Sequence, residues 1–338
     1  MKRLGIDIGS LFCGCALIEG ETAAALEYRP HRGDVEGCVR SLLEDDRFRR
    51  YDLVGVAASV LRPSQAVFDP FLALIEGAKH LIRGCRNVMY VGGQTFCLIF
   101  YDEKGEYREH STNSPCASGT GSFLEQQAER LGLTAEELSA RADAWRGSVP
   151  AVATRCAVFA KTDIVHAMQE GHSVDAICAG LCDGIARNLV DALVKGRELS
   201  APLGVVGGGS LNRRLLKTIG SILGIPVEAP PGGHLAGAFG AAMLAERRAF
   251  PYDEMFAARK GKARVRSPLR MSRSEYPDFS SFDAGVSNGV ERFLPRGTSP
   301  DGRRDAALST GDEPAQNRGE RLFAGIDIGS TSTKIAVV

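Results

Sequence analysis

Three glycine-rich segments, each directly after a short apolar stretch, constrain the fold of this 338-residue chain more than any other feature. Apolar residues on both sides of the first two predict antiparallel hairpins, and those around the third predict a strand, a turn and a helix. Glycine removes the side chain, so backbone N–H groups at such turns can approach phosphate oxygens. This order along one chain predicts a nucleotide site. The candidate nucleotide-binding residues are Gly9, Ser10, Gly92, Gly93, Gln94, Gly207, Gly208, Gly209 and Asn212.

An acidic residue, Asp7, ends the first of these strands, two positions before Gly9. A carboxylate beside a phosphate-binding turn can hold Mg²⁺ through water, so Asp7 is the candidate catalytic residue. Each turn taken alone is more typical of a tight turn that needs a glycine with positive φ, so the prediction rests on the order of the three. None of the three matches the dinucleotide pattern G-x-G-x-x-G or the P-loop pattern G-x-x-x-x-G-K-[ST].

Hydrophobic periodicity predicts a mixed α/β fold, with strands and helices alternating through the first 250 residues. With 44% hydrophobic residues, the chain can bury a sizeable core. Thr134 and Glu137 form a capping-box pattern that opens a helix. The predicted strands are Leu4–Ile8, Cys13–Ile18, Val54–Ala58, Val88–Val91, Thr95–Tyr101 and Leu203–Val206, and the predicted helices cover 173–195, 211–223 and 235–247.

The segment Gly5–Ser10 occurs a second time, unchanged, at Gly325–Ser330, and an apolar stretch follows each copy. Such a repeat predicts a duplicated domain, and the chain has the pattern expected of the first module of a longer protein. Between the copies, polar residues, proline and glycine dominate. We therefore predict one domain over 1–250, a flexible linker over 251–321, and the start of a truncated second copy over 322–338.

Charge and hydropathy exclude two broad classes of function. Lys and Arg together number 41, as do Asp and Glu, so the formal net charge is zero. This balance argues against a protein that coats nucleic acid through general positive charge. No apolar run approaches the length of a membrane span, and the N-terminus lacks a signal-peptide pattern. We expect a cytoplasmic protein with no nucleic-acid or membrane partner.

Nine cysteines are scattered along the chain, so reduced thiols or metal ligands are expected rather than a disulfide framework. One local pair, Cys178 and Cys182, has a spacing found in zinc sites, but it lies beside the apolar stripe of a predicted long helix and is interpreted as core. Cys116 and Cys156 precede helix-like stretches, about Ser122–Leu131 and Val158–Met168, whose N-termini would favour a thiolate. Four others share strand or helix faces with apolar residues and are interpreted as core: Cys13, Cys15, Cys178 and Cys182.

The order of the turns, D-x-G-S, then G-G-Q, then G-G-G-x-x-N, resembles the ATPase fold shared by actin, Hsp70 and sugar kinases. Within that superfamily, Asn113–Glu125 and Ala153–Ala160 resemble the cluster-binding motifs of the activators of 2-hydroxyacyl-CoA dehydratases, relatives of the ATP-binding subunits of benzoyl-CoA reductase. The resemblance covers roughly residues 4–247, and residues 325–338 resemble the opening of a second such domain. It implies an α/β fold of two lobes with a nucleotide cleft between them.

The resemblance also implies cofactors and partners. ATP and Mg²⁺ would bind in the cleft, and Cys116 and Cys156 would be ligands of a [4Fe–4S] cluster. Two cysteines supply half of a four-thiolate shell, so two subunits of a homodimer, or two modules, would share the cluster. ATP would drive the transfer of a low-potential electron to an acyl-CoA dehydratase or reductase component.

The sequence departs from the family pattern at both hairpin turns. The pattern D-x-G-G-Q-D has acids where this chain has Tyr90 and Thr95, and an acid there helps to place Mg²⁺ and the attacking water. In the first turn, Leu11 and Gly14 replace a threonine and a lysine that the second copy keeps. These departures leave hydrolysis by this module as an open question.

Three hypotheses for the function follow from these observations. The first is an ATP-driven reductive activase. The second is a degenerate nucleotide- and cluster-binding module without hydrolysis, structural or regulatory for a downstream ATPase copy. The third, a sugar or amino-acid kinase of the same fold, would leave Cys116 and Cys156 without a role.

Overall fold

The computed structural model describes residues 1–58, 67–112, 121–154, 157–256, 282–287, 290–295, 324–328 and 333–337. The chain divides into two compact units, Met1–Ala263 and Arg264–Val338. The first unit holds two β-sheets with helices packed against them, and the second holds two separate hairpins. Among the described helices, none combines the length and the apolar character that a bilayer crossing requires.

The first sheet has the strand order β3-β2-β1-β4. Its first three strands form an antiparallel meander, and β4 pairs with β1 in parallel. Leu4, Ile6 and Ile8 alternate along β1 and are fully buried on one face of the sheet. The strands are β1 (Lys2–Ile8), β2 (Phe12–Glu19), β3 (Thr22–Pro30) and β4 (Leu53–Ala58).

The second sheet has the order β7-β6-β5-β8-β9 and repeats the plan of the first. An antiparallel meander is followed by a parallel neighbour of its first strand, because β8 pairs with β5 in parallel. β9 then adds a further parallel edge strand. The strands are β5 (Asn87–Val91), β6 (Phe96–Tyr101), β7 (Tyr107–Thr112), β8 (Leu203–Val206) and β9 (Val227–Glu228).

Helices cover the two sheets and bury their apolar faces. The first sheet shares a core with α1 and α9, and the second shares a larger core with α3 to α7. The helices are α1 (Val35–Glu44), α2 (Pro70–Leu81), α3 (Gly121–Arg130), α4 (Ala135–Ala144), α5 (Ala157–Gln169), α6 (Val174–Leu193), α7 (Arg213–Leu223), α8 (Ala236–Met243) and α9 (Tyr252–Phe256).

The helix predictions hold, with shorter bounds. The capping box is present, since the N–H of Glu137 donates to Thr134 Oγ1 at 3.1 Å and the N–H of Thr134 donates to Glu137 Oε2 at 2.7 Å. The helix predicted over 173–195 is α6, which Ser173 caps. The helix predicted over 235–247 ends at Met243, as α8.

Small residues let α8 approach its neighbours closely. A methyl group at Gly77 of α2 would overlap the carbonyl oxygen of Ala236, and one at Gly5 of β1 would overlap that of Ala238. The two helices and the strand therefore meet backbone to backbone, without room for side chains. This contact holds the first residues of α8 next to the end of β1.

The second unit contains β10 (Phe282–Ser287) paired with β11 (Val290–Pro295), and β12 (Ala324–Ile328) paired with β13 (Thr333–Val337). The last hairpin has the register of β1 and β2: Asp327 pairs with Lys334 as Asp7 pairs with Gly14. The range predicted as a linker thus includes α9, β10 and β11. The predicted domain boundaries stay a prediction.

Candidate functional site

The structure brings the three glycine turns to one place in the first unit. The first joins β1 to β2, the second joins β5 to β6, and the third follows β8. A methyl group at Gly93 would lie 2.9 Å from Ser10 Oγ, so the first and second turns are in contact. A methyl group at Gly207 would lie 2.6 Å from the carbonyl oxygen of Val91, so the third turn packs against the end of β5.

The two hairpin turns are closed by the same hydrogen bond. The N–H of Gly9 donates to the carbonyl of Phe12, and the N–H of Gly92 donates to that of Thr95, both at 2.9 Å. In the described part of the chain, the next N–H groups, those of Ser10 and Gly93, donate to no acceptor. They are therefore available to an anionic ligand. Gln94 is exposed at the tip of the second turn.

The third turn depends on a glycine with positive φ. Gly207 has φ +85°, and its N–H donates to the carbonyl of Gly233 at 2.9 Å. Gly208 and Gly209 continue into a short 3₁₀ turn that leads to α7. The hydroxyl of Tyr28 lies 3.2 Å from the position a methyl group would take at Gly208.

Asn212 caps α7. Its Oδ1 accepts from the N–H of Leu215 at 3.0 Å, and its Nδ2 donates to Cys182 Sγ at 3.2 Å. Asn212 is 5% exposed. These contacts fix the turn and the helix N-terminus, and explain why α7 begins two residues later than predicted. The role of Asn212 in nucleotide binding stays a prediction.

Asp7 lies next to the last residue of β1, with its carboxylate against α8 at Gly237. Burial raises the pKa of Asp7 to about 7, because the charged form loses its hydration. Among the described residues, no lysine or arginine forms an ion pair with it. A buried carboxylate beside glycine turns with available N–H groups suits a hydrated divalent cation, which would compensate its charge.

Tyr90 occupies the corresponding place in the second hairpin. Its hydroxyl contacts Gly92, and two of its ring carbons lie 2.8 Å from the position of a methyl group at Gly207. Burial raises the pKa of Tyr90, and the charge of Asp7 raises it further. The side chain of Thr95 has the opposite effect and lowers the pKa of Tyr90. The two departures from the family pattern are therefore neighbours in the structure.

Two site residues on or after β3 were not predicted from the sequence. Tyr28 stacks on Phe12 with ring centroids 4.4 Å apart, and contacts His234 edge-on at 5.2 Å. His31 is buried, and its Nε2 lies 3.2 Å from the carbonyl oxygen of Gly9. The N–H of Gly33 donates to His31 Nδ1, so Nε2 carries the proton and supports the first turn. The alanine-rich sequence of β3 has no alternating pattern to signal this strand.

The second turn is bonded to α3. The N–H groups of Gly121 and Ser122 donate to the carbonyls of Gly92 and Gly93, each at 2.9 Å. At the other end of α3, the guanidinium of Arg130 donates to the carbonyl of Ala157, the first residue of α5, at 2.8 Å. A chain of hydrogen bonds thus joins the second turn to the starts of both helices.

Comparison with known proteins agrees with this geometry. Residues 4–245 match the model of the BadF/BadG/BcrA/BcrD ATPase family. This chain belongs to that family. It is 30% identical to a subunit of the benzoyl-CoA reductase of Thauera aromatica over 285 residues, 77% of this chain and 97% of that protein. It is 27% identical to the activator of lactoyl-CoA dehydratase of Anaerotignum propionicum over 254 residues, 72% of this chain and 97% of that protein.

An uncharacterized protein of Escherichia coli (strain K12), YjiL, is 31% identical over 171 residues, which cover 51% of this chain and 66% of YjiL. Among solved structures, the activator of the 2-hydroxyisocaproyl-CoA dehydratase from Clostridium difficile with bound ADPNP superimposes with a TM-score of 0.65 and 22% identity, covering 79% of this chain and all of that one. The predicted fold class and the resemblance to this ATPase family are confirmed.

Cys116 and Cys156, the predicted cluster ligands of this BadF/BadG/BcrA/BcrD family member, lie outside the described residues. The helices predicted after them are α3 and α5. Burial raises the pKa of the Cys182 thiol to about 12, which is typical of a core cysteine. The described residues contain no group of three His, Cys, Asp or Glu side chains that could hold a metal ion. The seven described cysteines are all buried, which confirms the core assignment of four: Cys13, Cys15, Cys178 and Cys182.

A polar cavity of about 550 Å³ in this ATPase-family domain lies between α6 and α7. Arg214 forms a bidentate ion pair with Asp183 at 2.8 and 2.6 Å, and the hydroxyl of Thr218 donates to the same carboxylate at 2.6 Å. These partners satisfy Asp183 within the protein. None of the predicted site residues lines this cavity.

Proposed function

We propose that this chain is an ATP-dependent activator module that binds Mg²⁺-ATP at the three glycine turns and supplies a low-potential electron to an acyl-CoA dehydratase or reductase component. The observation that carries the proposal is the meeting of the three turns beside the buried carboxylate of Asp7. The names of the similar proteins, an activator of lactoyl-CoA dehydratase and a benzoyl-CoA reductase subunit, support this class of partner.

The proposed binding of Mg²⁺-ATP gives a role to individual residues of the three turns. The N–H groups of Ser10 and Gly93 would bind phosphate oxygens, and the glycines of the third turn would leave room for the nucleoside. Asp7 would hold Mg²⁺ through water, which would restore the charge compensation that burial removes. The fold match to an activator that holds ADPNP is consistent with these roles.

The proposed electron carrier depends on two cysteines, Cys116 and Cys156. The other cysteines are buried in the core, which leaves these two as the candidate ligands. They precede the N-termini of α3 and α5, where a thiolate is favoured. A bound [4Fe–4S] cluster supplies a one-electron carrier, and its remaining ligands would come from the same pair in a second subunit or module.

The hydrogen bonds of α3 link the second turn to the helices that follow Cys116 and Cys156. Gly92 and Gly93 accept from the first N–H groups of α3, and Arg130 ties α3 to Ala157, next to Cys156. A displacement of the second turn by the γ-phosphate would therefore move the starts of both helices. We propose that nucleotide state changes the cysteine segments through this route.

Iron and acid-labile sulfide in anaerobically purified protein test the proposal. We expect about four irons per dimer in the wild type, and loss of iron in Cys116→Ala and in Cys156→Ala. Cys97→Ala, in the core of the second sheet, is the matched control and should keep its iron. Folded wild-type protein without iron in any preparation would contradict the activator role.

A second candidate function is supported by one observation, the presence of Tyr90 and Thr95 in place of acids at the second turn. In this alternative the module binds nucleotide and cluster without hydrolysis and is structural or regulatory for a downstream ATPase copy. Mg²⁺-dependent phosphate release by the chain alone separates the two. Tight nucleotide binding with no release would favour the alternative.

A further inference from the structure

A second carboxylate, that of Glu125, lies on the helix that is bonded to the second turn. Glu125 belongs to α3 and is half-buried. Within the described residues it has neither a hydrogen bond nor an ion pair. A half-buried carboxylate without a partner is costly, so it requires a functional or packing reason.

The start of α3 fixes the direction in which Glu125 points. The N–H groups of Gly121 and Ser122 are bonded to Gly92 and Gly93, and a methyl group at Gly121 would lie 3.3 Å from the carbonyl oxygen of Gly92. Residues four apart share one face of a helix, and helical side chains lean toward the N-terminus. Glu125 is four residues after Gly121, so its side chain leans along this face toward the second turn.

Tyr28, which lies in the first sheet, gives a second indication of where the carboxylate of Glu125 lies. Its ring stacks on Phe12, and its hydroxyl lies next to Gly208 in the third turn. Burial raises the pKa of Tyr28, and the negative charges of Asp7 and Glu125 raise it further. Both carboxylates therefore lie in the electrostatic neighbourhood of one hydroxyl, which is next to the third turn.

Glu129 shows what a purely surface position on the same helix is like. It lies one turn after Glu125, is exposed, and is farther from the turns. Burial raises the pKa of Glu125, which brings that carboxylate closer to the range in which a group accepts a proton near neutral pH. The two glutamates thus differ in setting but share chemistry and helix.

We propose that Glu125 is a further catalytic residue of the nucleotide site, where its carboxylate orients the attacking water and accepts its proton. This inference rests on the proposed binding of Mg²⁺-ATP. The water oxygen forms a bond to the γ-phosphorus, the bond from that phosphorus to the β,γ-bridging oxygen breaks, and ADP leaves with the electron pair. The proton passes to Glu125. The carboxylate thus takes the task that Tyr90 and Thr95 cannot perform.

Glu125→Gln in the full chain tests the proposal, with Glu129→Gln as the matched control. Mg²⁺-ATP affinity is measured by calorimetry, and phosphate release by single turnover between pH 5 and 8. We expect affinity in Glu125→Gln to stay within about threefold of wild type, while release falls about 100-fold and loses its acid limb. Glu129→Gln should match wild type in both.

Three outcomes would overturn parts of this scheme in distinguishable ways. Wild-type release by Glu125→Gln would overturn the role of Glu125 alone. A wild type that binds Mg²⁺-ATP without turnover would overturn the role of Glu125 and would also favour the non-hydrolysing module over the activator. A wild type that binds no Mg²⁺-ATP would overturn the proposed function as well. If Glu125→Gln does not fold, Glu125→Asp keeps the charge, and its shorter reach should lower release about tenfold at unchanged affinity.

Discussion

The first and second hairpin turns have the same backbone and different chemistry. Each follows a strand whose next-to-last residue lies beside the glycine turns, Asp7 in β1 and Tyr90 in β5. Each is closed by an N–H to C=O bond of 2.9 Å, from Gly9 and from Gly92. The two sheets that carry these turns also have the same order over four strands, β3-β2-β1-β4 and β7-β6-β5-β8.

This difference separates two tasks proposed for the site: the binding of phosphate, and the placement of Mg²⁺ and the attacking water. The backbone of both turns leaves an N–H group without an acceptor among the described residues, as the proposed phosphate binding requires, and a phenol in place of a carboxylate leaves that geometry unchanged. Placement of Mg²⁺ and water requires a charged oxygen, which the first turn has in Asp7 and the second lacks. Binding and hydrolysis can therefore be lost independently in this fold.

Asp7→Asn removes the carboxylate of the first turn and should have the largest effect. The amide keeps the shape but cannot compensate Mg²⁺, so we expect Mg²⁺-dependent phosphate release to fall about 1,000-fold. Release is measured at saturating Mg²⁺-ATP. Asp52→Asn, at the far end of the same sheet, is the control. Unchanged release in Asp7→Asn would remove Asp7 from the site.

The stability of the nucleotide-free protein should fall as the pH rises from about 4 to 7. Native Asp7 keeps its proton up to about pH 7, whereas the unfolded chain loses it near pH 3.8. The native state therefore binds the extra proton across this window, and the contribution is lost above it. The difference corresponds to about 4 kcal/mol at most. Denaturant unfolding at pH 5 and pH 8 measures it.

Asp7→Asn should remove this contribution, so its stability curve should be flatter than that of wild type. Mg²⁺-ATP should have the opposite influence, raising the stability of wild type most at pH 8 because the cation compensates the carboxylate. Equal pH dependence in wild type and variant would show that Asp7 titrates normally.

Gly207→Ala tests the third turn, which packs against the end of β5. The positive φ and the contact with the Val91 carbonyl should together cost about 3 kcal/mol of unfolding free energy. Gly224→Ala is the matched control, because its φ is +66° and nothing lies near the added methyl group. It should cost about 1 kcal/mol. Equal costs would mean that the approach to Val91 is not tight.

Tyr90→Asp gives the second turn the carboxylate that it lacks, and so tests whether this residue accounts for the difference between the two hairpin turns. We expect Mg²⁺-dependent release to rise about tenfold, because a second oxygen would help to place the cation and the water. Tyr90→Phe loses the hydroxyl that contacts Gly92 but gains no charge, so its release should not rise. A rise in both variants would indicate relief of steric hindrance instead.

Much of the fold could be predicted because local signals were strong. The strands flanking the first two turns and the long helix α6 follow from apolar periodicity, and Thr134 with Glu137 marks the start of α4. β3 gave no such signal, since its apolar positions do not alternate. Its pairing with β2 is decided by the neighbouring strand, so Tyr28 stayed unpredicted.

The three turns of the candidate site and the carboxylate of Asp7 were predicted, whereas the neighbouring side chains of Tyr28, His31 and Glu125 were not. Glycine spacing identified the three turns, because backbone approach leaves a mark in sequence. The setting of Glu125 depends on hydrogen bonds between α3 and a turn some thirty residues earlier, which no local pattern records. Asn212 was correctly noted next to the third turn, but its capping bond shows only in the fold.

The close contact of α8 with α2 and β1 also decides when the first unit can be completed during synthesis. α8 is made after all the strands of both sheets. Until then Gly5 and Gly77 face no backbone partner, and Ala16 of β2 stays uncovered. Contacts between such distant parts of a chain slow folding and leave apolar surface open to chaperones. The N-terminal sheet is thus synthesised first, but α8 covers it last.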